Sequence, residues 1–430
     1  MSRAQRLLVC TPGFPADVYG HLHKQAQMAA QTARAMGLEA EVADATDSGF
    51  LPALFRALDD PECVISFNYF QYDLRVLASV GVTKSTHALE GSKARAVAAI
   101  GDHPFASFMS DQLAHAHPST RFITIEKGFR DEAVFVNPSL APAKMFHVPF
   151  MPPVSFDEGH RLPYEQRPID LIAPIFITPV EPDVIPSLLR RCGESWLRRA
   201  VEATLDALLQ DVAQTPFELL NEFTRAETGA DLHQIIQVQP AAYRAFLRVL
   251  EGVDGIARQR RRELMLKNLL RSVGKLKVCV FGAKPPQIDV DERVQFIGVQ
   301  HIDRTTALCG RAKAILNCSP SYPTNIHERI SVGMLYGSCV LTDVNPLLRA
   351  TFHDGTYVPI EPSSSPPLVE IFDDQDVETV AAEGAAAIED DPRFTWERHV
   401  QNVLDVAGID DGADAAFRPA AGPSPGYAAA

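Results

Sequence analysis

What most constrains this chain is a repeated alternation of continuous apolar runs with helix-forming stretches. "RLLVCTPGF" is a buried strand ending in turn residues, and residues 22–36, "LHKQAQMAAQTARAM", form an Ala-rich helix stopped by Gly37. "EAEVADAT", "FLPALFRAL" and "CVISFNYF" continue as strand, helix and strand, and "ARAVAAIGDHP", "RFITIE" and "KMFHVPF" add three more strands. Strands apolar on both faces and separated by helices specify a parallel sheet covered on both sides. Ligands bind such sheets beyond the carboxyl ends of the strands. In this half those ends hold Thr11 to Phe14 (with Gly13), Asn68 to Gln71 (with Tyr69), Asp102, His103, Glu126 and Lys127.

Residues 151–168, "MPPVSFDEGHRLPYEQRP", interrupt the pattern with proline and charge and read as a linker. Strand character resumes in "IDLIAPIFI". Residues 182–273 are predominantly helical, with breaks at Thr215–Pro216 and Gly229. "KLKVCVFG", "VQFIG", "AKAILNCSP", "SCVLTD" and "TYVPI" then supply strands of a second α/β series. The predicted organisation is an N-terminal Rossmann-like domain (1–150), the linker (151–168), a second domain (169–395), a returning helix (396–407) and a disordered tail (408–430). A chain of 430 residues is too long for one ordinary core, which agrees with two domains.

Composition excludes several classes. Apolar residues at 46% and charged residues at 22% are those of a soluble globular protein, and no apolar run approaches the roughly 20 residues of a membrane span. A net charge of −14 argues against a nucleic-acid partner, which needs a basic face. Seven scattered cysteines without a C-x-x-C pair favour a reducing, cytoplasmic setting and disfavour structural zinc.

The most informative stretch is "NIHERISVGMLYGSCVLTDVN", residues 325–345. It reads as a short helix that stops at a glycine and enters a strand, with Asn325, His327, Glu328 and Arg329 gathered at its start. A helix N-terminus offers unpaired N–H groups and a positive dipole end for phosphate or ribose oxygens. Arg329 has the planar donor fork for a diphosphate, and Glu328 can accept from ribose hydroxyls. Asn325-x-x-Glu328 also has capping-box spacing, so Glu328 reads equally as a structural cap. Gly333 in mid-helix costs about 1 kcal/mol unless a close backbone approach requires it.

With "DERVQFIGVQHIDRTTALCGRAK" upstream, the run "AILNCSPSYPTNIHERISVGMLYGSCVLTDVN" resembles the spore-maturation-type (CgeB-like) glycosyltransferases of the group-1 superfamily. The resemblance covers roughly residues 270–360; over the first half only the element order and "GDHP" fit. It implies a GT-B fold, with two Rossmann-like domains facing across a cleft and here a helical insertion in the second half. It also implies that Glu328 and Arg329 face a nucleotide-sugar donor. One departure stands out. The Glu-x7-Glu pattern of many retaining group-1 enzymes is absent, with Pro320 eight positions before Glu328 and Val332 at the aligned glutamate position.

Other candidates sit at strand ends. Gly282 and Lys284 follow a strand in "VFGAKPPQ", where the lysine can meet a phosphate. Thr324 and Asn325 lie on the loop into the key helix, and Thr342 and Asp343 end the next strand. In "GDHP", Asp102 and His103 are the predicted acid/base pair, the alternative being a loop Asp beside a histidine stacked on Pro104. Gly13, His21, Asn68 and Tyr69 are the acceptor-side candidates. "RQRRRELMLK" reads as a solvated helix face. No cofactor and no metal are expected: Asp289-x-Asp291 is a lone D-x-D on the approach to a strand.

The expected activity is transfer of a sugar from a nucleoside-diphosphate donor to a protein or glycan acceptor, with Arg329 steadying the leaving group and Asp102–His103 supplying the base. The alternatives are a non-catalytic GT-B relative that binds a nucleotide sugar or a protein partner, and an epimerase or hydrolase on the same scaffold.

Overall fold

A computed structural model describes residues 4–12, 17, 19–68, 87–150, 152, 156–178, 180–181, 183–210, 213–239, 242–285, 288, 291–319, 321–389 and 391–408. The predicted tail lies outside them beyond residue 408. The chain forms two compact units: residues up to Gly101, Asp111–Pro152 and from Asp391 onward make the first, Asp102–Ser110 and Pro153–Asp390 the second.

The first series runs β1 (Arg6–Thr11), α1 (His21–Ala35), β2 (Glu39–Asp44), α2 (Phe50–Leu58), β3 (Cys63–Phe67), β4 (Arg95–Ile100) and α3 (Ser107–Ala114). It ends with β5 (Arg121–Thr124), α4 (Phe129–Val136) and β6 (Met145–His147). The strands form one parallel sheet in the order β2-β1-β3-β4-β5-β6. In β1 the residues Leu7 to Thr11 are all buried, the pattern of a strand covered on both faces.

The second series begins with β7 (Ile169–Ile177), then α5 (Val184–Arg191), α6 (Ser195–Gln210), α7 (Pro216–Thr228), α8 (Leu232–Val238) and α9 (Tyr243–Leu269). It continues with β8 (Val278–Gly282), β9 (Val294–Phe296), α10 (Ile302–Cys309), β10 (Ala312–Asn317), α11 (Glu328–Leu335) and β11 (Cys339–Thr342). α12 (Pro346–Thr351), β12 (Val358–Pro359), α13 (Leu368–Asp374) and α14 (Val377–Glu389) complete it. The helical breaks are chemical ones: Thr215 and Glu218 form a reciprocal capping box with Pro216 at the first position of α7, and Gly229 closes that helix at φ 76°.

The second sheet is parallel in the order β12-β11-β10-β7-β8-β9. Side-chain period two sorts its core. Leu171, Ala173 and Ile175 face Met265, Leu266 and Leu269 of α9, while Ile172 faces Val332 and Tyr336 of the α11 region. The final helix, α15 (Trp396–Gly408), packs on α1, β3, β4 and β5 of the first unit, where Arg121 donates to its Ala407 carbonyl at 3.2 Å.

The stretch expected as a linker is, from residue 156 on, tied into the second unit. Buried Arg167 donates to the carbonyls of Gly337 (2.7 Å) and Tyr336 (2.5 Å), satisfying acceptors at the end of α11, and to that of Ala312 (3.0 Å) at the start of β10. The Tyr336 hydroxyl accepts from the Asp157 amide at 2.9 Å. Two parallel six-stranded sheets with flanking helices, the second carrying the inserted helices α5–α9, constitute the GT-B fold class.

Candidate functional site

Reading β7 as first in its series, the second sheet has the order 3-2-1-4-5-6, and strand direction of travel reverses between β7 and β10. Such a reversal opens a crevice at the carboxyl ends of those two strands. Arg329, the second residue of α11, spans this point. Its Nε donates to Asn317 Oδ1 (3.0 Å) at the end of β10, and its Nη1 to the Pro174 carbonyl (3.4 Å) in β7. Pro174 sits where the β7–β8 register shifts, a place that tolerates its missing N–H. The third donor, Nη2, reaches Ser319 Oγ at 3.3 Å.

Those partners are themselves fixed. Asn317 donates to Thr342 Oγ1 at 2.9 Å, and that hydroxyl donates to the Asp343 carbonyl at 2.9 Å. The Asp343 carboxylate accepts the Ser319 N–H at 3.0 and 3.1 Å. Thr342 and Asp343, predicted as donor-site residues, therefore anchor the loop that carries Arg329's contacts.

Burial, with Arg262 nearby, pushes the Arg329 guanidinium down to about 10, against the pull of Glu328, Cys318 and Asp343. Burial pushes the Asp343 carboxyl up, and Arg261 is the first influence opposing it. Arg261 and Arg262 belong to the run read above as a solvated face, and that reading is corrected: Arg261 is 1% exposed. Asp254, Arg258, Arg261 and Arg262 recur at helical spacing along one side of α9, and this periodicity was the available signal. Asp254 pairs with Arg258 and accepts from Ser321 Oγ. Burial alone would raise its carboxyl, but Arg258, His103 and Ser321 leave it below the usual range.

The helix start also differs from the expected capping box. The N-cap of α11 is His327, whose Nδ1 accepts the Arg329 N–H at 3.2 Å, so Glu328 is the first helical residue. Asn325 lies outside the helix, buried, with its carbonyl accepting from Asn345 Nδ2 at 2.6 Å. Thr324 is partly buried on the same loop. Gly333 has a packing reason: a Cβ there would lie 2.7 Å from Val340 Cγ2 on β11. Gly282 ends β8 at φ 100°, and a Cβ would meet the Ile177 backbone at 2.4 Å. Lys284, just beyond, is exposed.

Asp102 and His103 group with the second unit, not with the unit of the strand they follow, because their partners are there. The Tyr322 hydroxyl donates to Asp102 Oδ1 at 2.9 Å, and burial raises the Asp102 carboxyl against the opposing charge of Arg258. His103 is 1% exposed, with Nε2 3.7 Å from Asp254 Oδ1, and stacks on Phe105 (4.6 Å) and Tyr322 (5.4 Å). In the first unit, Asn68 directly follows β3 beside the order reversal between β1 and β3, and donates to the Leu22 carbonyl at 2.7 Å. His21 opens α1, its Nε2 3.0 Å from Gln25 Nε2. Gly13 and Tyr69 lie outside the described residues.

Among the described residues, no group of three or more His, Cys, Asp or Glu side chains is arranged to hold a metal ion. Asp291 receives Arg293 Nη1 at 3.0 Å, and Asp289 lies outside the described residues. All seven cysteines are free and buried, and among the described residues no helix is long and apolar enough to cross a membrane.

No protein-family model matches this chain, and no curated protein sequence does. Solved structures that share its architecture include HepE of Anabaena in complex with UDP-glucose, at 10% identity, covering 93% of this chain and 99% of that one with a TM-score of 0.42. A glycosyltransferase of Rickettsia africae is 11% identical over 94% of this chain and 97% of its own, TM-score 0.43. WaaG, a glycosyltransferase involved in lipopolysaccharide biosynthesis, is 11% identical over 94% and 99%, TM-score 0.42. Likeness at this level carries no argument about activity, which rests on the site itself.

Proposed function

We propose that this chain is a glycosyltransferase that moves a sugar from a nucleoside-diphosphate donor to a protein or glycan acceptor. The observation that carries the reading is the position of Arg329. A partly buried guanidinium, short of solvent and beside a second arginine, stands at the order reversal of a Rossmann-type sheet. Cations gathered where burial disfavours charge are stabilised by an anion, and a diphosphate supplies two or three negative charges there. Arg329 and Arg262 then offset charge developing on the departing diphosphate, and the start of α11 orients it. The resemblance of residues 270–360 to CgeB-like enzymes supports the same assignment.

A second reading, binding without transfer, is favoured by one observation: His103, the predicted base, is enclosed between Phe105 and Tyr322. Calorimetric titration with UDP-, GDP- and ADP-sugars, followed by assay for nucleoside-diphosphate release, separates the two. Binding with release supports transfer, binding without release under any acceptor supports the second reading, and no binding removes both.

A further inference from the structure

We propose that Arg261 is a positioning residue: its guanidinium pins the Asp343 carboxylate, and through that carboxylate sets the β10–α11 loop and the Arg329 side chain. The functional half of this proposal rests on the donor-site reading; the structural half does not.

Arg261 is among the largest fully buried side chains of the protein. Nη1 donates to the carbonyls of Leu208 and Leu209, each at 3.1 Å, capping the last turn of α6. Nη2 lies 3.9 Å from Asp343 Oδ2, an ion pair without a hydrogen bond, and Nε has no hydrogen-bond partner among the described residues. A buried guanidinium with a donor left over is a poor way to fill space, and an apolar side chain of like volume would avoid its desolvation. What the charge does is face a carboxylate that burial works against.

That carboxylate is the hinge of the loop. It takes the Ser319 N–H on both oxygens, and Ser319 Oγ bridges Arg329 Nη2 (3.3 Å) and Asn317 Oδ1 (3.2 Å). Asn317 in turn accepts Arg329 Nε. Moving Ser319 therefore moves two of the three anchors of Arg329. The groups facing Asp343 are Arg261 from α9, Arg329 from α11, and the Cys318 thiol and Ser319 amide from the loop; Arg262 faces the same thiol. Of these, Arg261 is the charge that makes no direct claim on the proposed ligand.

The test is hydrogen exchange of the segment 318–325, together with titration by UDP, GDP and ADP, in the full-length protein and its Arg261→Met, Arg261→Lys, Asp343→Asn and Arg261→Met/Asp343→Asn variants. Protection of this segment, taken relative to the intrinsic exchange rate at each pH, is expected to fall about tenfold in Arg261→Met and further as pH falls, because the unopposed carboxyl takes up a proton, with Arg261→Lys close to wild type. Asp343→Asn should open the segment to the same extent, and adding Arg261→Met should change nothing more. Nucleotide affinity should fall about tenfold in step with loop opening. Wild-type protection in Arg261→Met at every pH, or simple addition of the two single effects, overturns the proposal. If Arg261→Met does not fold, Asp343→Asn decides: an unopened segment overturns it. Loop opening in a wild type that binds none of UDP, GDP and ADP leaves the positioning role standing and removes the donor-site reading.

Discussion

The imidazole of His103 and one carboxylate oxygen of Asp254 lie 3.7 Å apart, while Arg258 pairs with the other oxygen of that same carboxylate. Asp254 thus serves Arg258, His103 and Ser321 from a position 2% exposed. Removing its charge leaves the partly buried Arg258 without its ion-pair partner. Asp254→Asn should cost about 3 kcal/mol of folding stability at neutral pH, measured by urea denaturation. The folded carboxyl titrates below its unfolded value of 3.8, so its contribution is present above that value and lost as pH falls through the folded one. The variant should therefore lose part of the wild type's steep fall in stability below pH 3.8.

His399 predicts a second pH effect of a different kind. Burial lowers its imidazole to about 4 from 6.5, so between those values the unfolded chain binds a proton that the native helix α15 does not. Stability should fall as pH drops from 6.5 to 4, by about 2 kcal/mol, less than the full shift gives because solvent reaches part of the ring. His399→Gln should flatten this limb in chemical denaturation across that range; an unchanged limb assigns it to other groups.

The start of α11 separates cap from ligand. His327 is the N-cap, so His327→Ala should lower the melting point by the equivalent of about 1 kcal/mol, whereas His327→Asn should hold it. The cap hydrogen bond runs from the Arg329 amide to the His327 ring, and Glu328 is the first helical residue. Glu328→Gln should leave folding unchanged and weaken nucleotide binding by about 1–2 kcal/mol, the surplus of a charged over a neutral acceptor. Arg329→Ala should reduce turnover and stability together, because its guanidinium joins β7, β10 and the loop. Unaltered nucleotide affinity in Glu328→Gln places the ribose contact elsewhere.

The elements were legible wherever local chemistry decides. β7 coincides with "IDLIAPIFI", α1 starts one residue from its expected position, and the breaks at Thr215–Pro216 and Gly229 are real caps. The errors fall where tertiary context decides. Asn325 and Glu328 satisfy capping-box spacing, yet the turn into α11 brings His327 to the helix end and leaves Asn325 bonded to Asn345. The α9 arginines have the composition of a solvated face, and nothing local reveals that the C-terminal carbonyls of α6 and the carboxylate of Asp343 await one of them. The grouping of Asp102 and His103 with the second unit was equally beyond sequence spacing, since Tyr322 and Asp254 lie more than 150 residues away in the chain.

Gly282→Ala tests backbone fit. At φ 100° with the Ile177 amide 2.4 Å from any Cβ, neither strain nor clash can be relieved without parting β8 from β7. A loss of about 3 kcal/mol or more is expected in thermal denaturation. A change below about 1 kcal/mol would show that this strand end is free to move.

Chelation tests the expected independence from metal. Asp291 is engaged by Arg293 in a turn ahead of β9. Sugar transfer should survive EDTA, and loss of activity that manganese restores would direct attention to Asp289 and Asp291.

The path of the chain has a consequence for its synthesis. The first sheet takes shape from residues 6–147, yet α15, which covers β3, β4 and β5, leaves the ribosome about 250 residues after that sheet's final strand. Until it arrives, that face of the sheet lacks its lid, and the segment Asp102–Ser110 waits for partners made more than 140 residues later. A nascent amino-terminal half is thus an open template with unpaid contacts of long sequence separation, slow to close and exposed to mispairing. Birth and completion are thus uncoupled in the first unit: its sheet is translated before the second unit's, but α15 reaches it only after the second sheet has been made.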